Sequence, residues 1–103
     1  MGLFSKKKST FTPRKQLMTF HGKRLSYVVE RFGSDEEVIG KVGGISVDDE
    51  KLSIVCNGHI TAQFSLDDLI CAELMSHNGA DIKGKDFTTG KARHIVAHYS
   101  SFK

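Results

Sequence analysis

Two short apolar runs, Lys51–Cys56 (KLSIVC) and His59–Phe64 (HITAQF), flank the pair Asn57-Gly58. Both central positions of a type I′ turn need positive φ, and Asn-Gly tolerates this best, so the pattern specifies a two-residue β-hairpin. The turn fixes the register: Cys56 faces His59, Val55 faces Ile60, and Ile54 faces Thr61. A hairpin of this kind is too small to stand alone and demands further strands.

The rest of the chain supplies them. Leu25–Phe32 has strand composition, although its apolar spacing also fits a helix. Gly33-Ser34-Asp35 reads as a turn into Glu37–Val47, a long strand bent where Gly40, Gly43 and Gly44 mark a bulge or corner. Residues 65–75 fit either a helix or a single turn at Leu66–Asp68 followed by a strand over Leu69–Met75, and the second is preferred. Asn78-Gly79 turns the chain into Ala80–Phe87. Thr88-Thr89-Gly90, with Gly90 at a left-handed position, leads into Lys91–Ser100. The fold class expected is all-β in the main: a small antiparallel meander barrel or roll of six to seven strands, curled to cover its edges. A pleckstrin-homology-like domain is the first named fold to compare. That fold caps its barrel with a long C-terminal helix, whereas here the last strand pattern runs almost to Lys103.

Residues 25–103 form the expected domain, and residues 1–24 a flexible basic tail with room for one short helix. Thr12-Pro13 is a helix-start signal, and Leu17 and Phe20 share one face of a helix over Pro13–Phe20. Charge divides at the same boundary. Residues 1–24 hold seven basic side chains (Lys6, Lys7, Lys8, Arg14, Lys15, Lys23 and Arg24) and no acidic one. Residues 25–103 hold eight basic and all twelve acidic ones, a formal −4. A basic arm on an acidic body suits weak attraction to anions more than a dedicated nucleic-acid fold.

Cys56 and Cys71 are too few for a disulfide framework, and charges directly after Met1-Gly2-Leu3-Phe4 leave no signal-peptide core. No run approaches the roughly 20 apolar residues of a membrane span. Lys6 occupies the position where N-myristoylation wants Ser or Thr. The expectation is a reduced, cytoplasmic protein without a cofactor.

The runs EEVIGKVGGISV, CNG, ELMS and TGKARHIVAHYSSFK resemble a family of short uncharacterised proteins from anaerobic Firmicutes, over residues 21–103. The resemblance implies a bacterial, small β-barrel-like domain of unassigned function, and it supplies no site residues.

Three constellations could carry chemistry. Cys56 and His59, cross-strand partners with Cβ atoms about 4.5–5.5 Å apart, make half of a zinc site or a thiol–base pair. Cys71 and His77 are the other candidate metal ligands, against the plainer reading of ordinary packing. His94 and His98 would share a strand face about 13 Å apart, too far to chelate together. Lys83, Lys85, Lys91 and Arg93 lie on one hairpin, and with Gly90 as a bulge all four gather around Phe87 as a candidate anion site. The glycine–lysine pairs at Gly40-Lys41 and Gly84-Lys85 match no phosphate-binding loop. No elbow serine or catalytic triad stands out. The leading expectation is a non-enzymatic binding or interaction module, with an unknown protein partner or self-association through an open edge strand. An anion-binding module for nucleic acid or a membrane surface is the alternative, and a zinc- or thiol-dependent site at Cys56 and His59 is the second.

Overall fold

The computed structural model describes residues 11–100. The readings made for residues 1–10, including the lysines at 6–8, lie outside the described residues.

Seven antiparallel strands make one sheet: β1 (Arg24–Phe32), β2 (Asp35–Val47), β3 (Lys51–Cys56), β4 (His59–Ser65), β5 (Ile70–Glu73), β6 (Gly79–Lys85) and β7 (Ala92–Tyr99). Their order is β4-β3-β2-β1-β7-β6-β5. Residues 25–32 and 70–73 are thus strand, and Leu66–Asp68 is the expected single turn, of 3₁₀ type. β1–β4 and β5–β7 are each linked hairpin to hairpin, and β1 pairs with β7.

The sheet rolls up but does not close into a barrel. β4 and β5 are its two edges, yet only a short 3₁₀ turn separates them along the chain. That turn carries the chain across the gap. Among the described residues, the one strand-type contact across it is the bridge between Phe64 and Asp86, beside which the Phe87 amide donates to Gln63 O at 2.8 Å.

Inside the roll lie Phe64, Leu52, Ile54, Leu69, Ile82, Ile95 and Val28, all fully buried. Each contributes roughly 1.5–3 kcal/mol by leaving water. Leu17 and Phe20 join this core. They come from a short helix, α1 (Arg14–Leu17), continued by a 3₁₀ turn, Met18–Phe20. The helix expected in the basic tail therefore exists, but from Thr12 onward it is packed onto the domain. Its two apolar side chains find their cover inside the roll.

Side chains and backbone amides from neighbouring segments cover both edges. At β5, the Thr12 amide donates to Leu69 O, and the Thr12 hydroxyl accepts from Cys71 N at 2.8 Å. At β4, Asp86 Oδ1 accepts from Gln63 N at 3.0 Å, and Arg93 donates to Thr61 O at 3.3 Å. Satisfied edge groups resist the addition of another strand.

The turns follow their residues. Asn57 (φ 54°) and Gly58 (φ 80°) form the expected hairpin turn. Cys56 pairs with His59 and Val55 with Ile60, but a bulge then pairs Ile54 with Ala62, not Thr61. β2 carries the expected irregularity at its glycines, its register with β1 shifting beside Gly40. Val42 takes a left-handed φ of 47° there, and a Cβ on Gly43 would lie 1.9 Å from Val55 O. In the β5–β6 turn the left-handed residue is His77 (φ 63°), not Asn78.

Candidate functional site

Alternation along β1 and β7 sends Val28, Ile95 and Ala97 into the core, which leaves Tyr27, Val29, Val96 and His98 on the outer face. A residue there should be polar, since water covers it. Instead Val29 lies between Val96 of β7 and Val38 of β2, and Val96 is also opposite Asp81 of β6. Val29 and Val96 are only 6% and 8% exposed although neither belongs to the core cluster. Their neighbours on the face shield them. Val38, at the end of the row, is 52% exposed.

Polar groups frame this apolar row. On one side Tyr27 and His98, cross-strand partners, stack with ring centroids 4.3 Å apart and planes 14° from parallel. On the other, His94 Nε2 donates to Asp81 Oδ1, and Arg31 pairs with Glu36 at 3.3 Å. The result is a groove of about 490 Å³ lined by the three valines, Tyr27, His98, Asp81, Arg31 and Glu36 together with Glu37 and Leu74, with His94 outside the lining. That volume is in the range of small ligand sites. Sequence reasoning missed it because the row exists only once β7 lies beside β1.

The expected basic cluster is not assembled as foreseen. Lys83, Lys85 and Lys91 are exposed, but Lys85 pairs with Ala92, and Arg93 with Gly84. The loop holds four residues between Asp86 and Lys91, not three, closed by Asp86 N donating to Lys91 O. This one-residue change of register turns Arg93 to the inner side. There it donates to Glu30 through Nε (2.9 Å) and Nη2 (2.6 Å), and to Asp86 through Nη1. Glu30 above all holds its guanidinium proton more tightly than usual.

Asp86 is fully buried. Burial pushes its carboxyl up, but hydrogen bonds from the amides of Gln63 and Thr88, and from Arg93, outweigh this and hold it below the usual value. The Thr88 hydroxyl also donates to Asp86, at 2.8 Å. Asp86 and Arg93 together latch β1, β4 and the β6–β7 loop across the open side of the roll. Beside the latch, Ser65, Asp68, Lys85, Phe87 and Gly90 line a second hollow of about 310 Å³.

Cys56 and His59 are cross-strand partners as expected, but the four candidate metal ligands do not converge on one point. Cys56 is buried beneath Gly40, where an added Cβ would come within 2.6 Å of its Sγ, while its partner His59 is exposed. Cys71 lies buried on β5, and burial, with Asp81 adding to it, pushes its thiol up to about 12. His77 instead sits 3.4 Å from Glu73. Among the described residues, no three His, Cys, Asp or Glu side chains are arranged to hold an ion. No described helix is long and apolar enough to cross a membrane.

A third hollow, of about 210 Å³, lies between the helical segment and β7, lined by Gln16, Thr19, Phe20, Lys23, Glu73 and Tyr99. The Lys23 ammonium stands 5.2 Å from the centre of the Tyr99 ring. The Tyr99 hydroxyl is buried without a hydrogen bond to any described residue, and burial, with Glu73 and Cys71, pushes it up to about 12. Comparison with protein-family models, with curated proteins and with solved structures gives no match.

Proposed function

We propose that this domain is a non-enzymatic binding module of the bacterial cytoplasm, and that it recognises a protein partner through the groove on its outer face. One observation carries the reading: the apolar row Val29, Val38 and Val96 stands on the side of the sheet that should be polar. Apolar side chains framed by polar ones mark interaction surfaces; here Val38, 52% exposed at the end of the row, gives a partner apolar surface to cover while the polar rim sets orientation. The covered edges of β4 and β5 argue against self-association by strand addition and favour this face instead.

A photo-crosslinking residue at position 38, introduced in the organism that encodes the chain, tests the idea. Discrete adducts at 38, and none at the exposed but off-groove position 42, are expected. Equal labelling at both positions, or none at 38, would sink it.

A second reading is favoured by the exposed Lys83, Lys85 and Lys91 on one hairpin: an anion-binding surface for nucleic acid, aided by the basic residues of 1–24. Amide spectra recorded with a short duplex at low and moderate salt check it. Shifts at these lysines that fade with salt support that surface; an unchanged spectrum rejects it.

A further inference from the structure

We infer that the end of the outer face around Tyr27 and His98 takes an unpaired base of a single-stranded nucleic acid, an inference that rests on the chain binding nucleic acid through its lysines. The stacked Tyr27–His98 pair borders the groove on one side and, on the other, a separate hollow of about 350 Å³. Ser26, His77 and Asn78 also line that hollow, and among the described residues its lining holds no carboxylate. Glu73, outside the lining, stands 3.4 Å from His77.

The sign of the charge around the pair favours an anion. On the outer face Arg31 is matched by Glu36, and Asp81 by His94. Two cations are left over. Lys41 is the cross-strand partner of Tyr27 and Lys83 that of His94, both are exposed, and among the described residues neither makes a salt bridge. Cross-strand partners share a face, so Lys41 stands beside the stacked rings. Glu36 lies at the far end of the same strand pair, across from Arg31.

The aromatic pair decides which polyanion fits. A base stacks on an aromatic side chain only when it is splayed out, and the bases of a duplex are already covered by their neighbours. Ser26 and Asn78, exposed beside the rings, offer hydroxyl and amide groups to the edge of such a base. An anionic lipid surface would need apolar side chains to insert, whereas Val29 and Val96 are buried. His94, the partner of Lys83, precedes His98 by four residues, about 13 Å along the strand at about 3.3 Å per residue. A strand leaving the hollow along β7 therefore reaches Lys83 and the hairpin lysines beyond it.

The test titrates the ¹⁵N-labelled full chain with a thymidine octanucleotide, an abasic strand of the same length, a short duplex and phosphatidylserine vesicles. The octanucleotide is expected to shift the amides of Tyr27, Asn78 and His98, and the abasic strand to bind more weakly and leave them unmoved. Tyr27→Thr, an outward-facing change, should weaken the octanucleotide by about fivefold or more and leave the abasic strand unaffected, while Tyr27→Phe keeps the affinity. Lys41→Gln should weaken both strands and flatten the salt dependence by about one phosphate contact. Equal binding of the octanucleotide and the abasic strand, or no loss in Tyr27→Thr, would overturn the inference. If the duplex shifts Lys83, Lys85 and Lys91 but the octanucleotide leaves the Tyr27 end unmoved, the inference fails and the nucleic-acid reading survives. If neither nucleic acid binds, both fail, and shifts at Tyr27 with vesicles alone would assign the face to lipid.

Discussion

Replacing Asp86 by alanine should remove a large share of this domain's stability through a single buried side chain. Its carboxylate accepts from Gln63 N, Thr88 N, the Thr88 hydroxyl and Arg93. In the alanine variant those donors lose their acceptor at a site with no exposure. A buried donor left unsatisfied costs about 1–3 kcal/mol. Breaking one side of a buried ion pair costs about 3–5 kcal/mol. Glu30 still holds Arg93 through two hydrogen bonds, which places the total near the lower end of a simple sum, at about 3–5 kcal/mol. A domain of about ninety residues has about 5–13 kcal/mol in hand, so at least about a fifth would be lost. At about 4–8 °C per kcal/mol, the melting midpoint should fall by about 12 °C or more. Urea and thermal melts followed by circular dichroism measure this, and hydrogen exchange at the Gln63 and Phe87 amides locates it. A loss under about 1 kcal/mol would refute the latch. The same group sets an acid limit. Its folded-state pKa lies below the ordinary aspartate value of 3.8, so its contribution is fully present above that pH and is lost as pH falls through the depressed folded value.

The remaining expectations are briefer. Leu17→Ala should destabilise the chain by about 2–5 kcal/mol in a urea melt, as a core truncation does; a change within error would return the helical segment to the status of a tail. Val42→Asn should raise stability by about 1 kcal/mol, because asparagine accepts the left-handed φ that strains a β-branched residue. Tyr99→Phe should also stabilise, by about 1 kcal/mol, since it deletes a buried hydroxyl with no described partner; a clear loss would show that the hydroxyl is satisfied after all. Cys71, buried and with its thiol pushed up to about 12, should resist a thiolate-directed reagent at pH 8 until denaturant is added, and rapid labelling of the native chain would contradict its placement.

What the sequence disclosed was local. Asn57-Gly58 specified its turn and the first two cross-strand pairs, and Gly90 took the left-handed conformation foreseen for it. Register failed where local signals compete. The bulge beside Ile54 moved its partner from Thr61 to Ala62, and one added loop residue turned Arg93 from outer cation to inner latch. A clue to the second lay in Asp86 with Thr88 two positions on, the spacing at which an aspartate side chain accepts from a turn amide. Three features were not legible at all: β1 beside β7, the burial of Leu17 and Phe20, and the groove itself. Each joins segments far apart in the chain, and no periodicity within one segment encodes its distant neighbour.

The pairing of β1 with β7 has a kinetic consequence. Every other strand pair is closed by a turn or short loop, while this one joins partners such as Leu25 and Tyr99 from opposite ends of the described chain. Each doubling of a closed loop adds about 0.6 kcal/mol of lost chain entropy. The two hairpin arrays, β1–β4 and β5–β7, can therefore form from near neighbours before the seam between them closes. Arg93 and Glu30 bridge that same seam. Substitutions along it should therefore be read chiefly in the unfolding rate, while those in the Asn57-Gly58 hairpin slow the approach to the folded state.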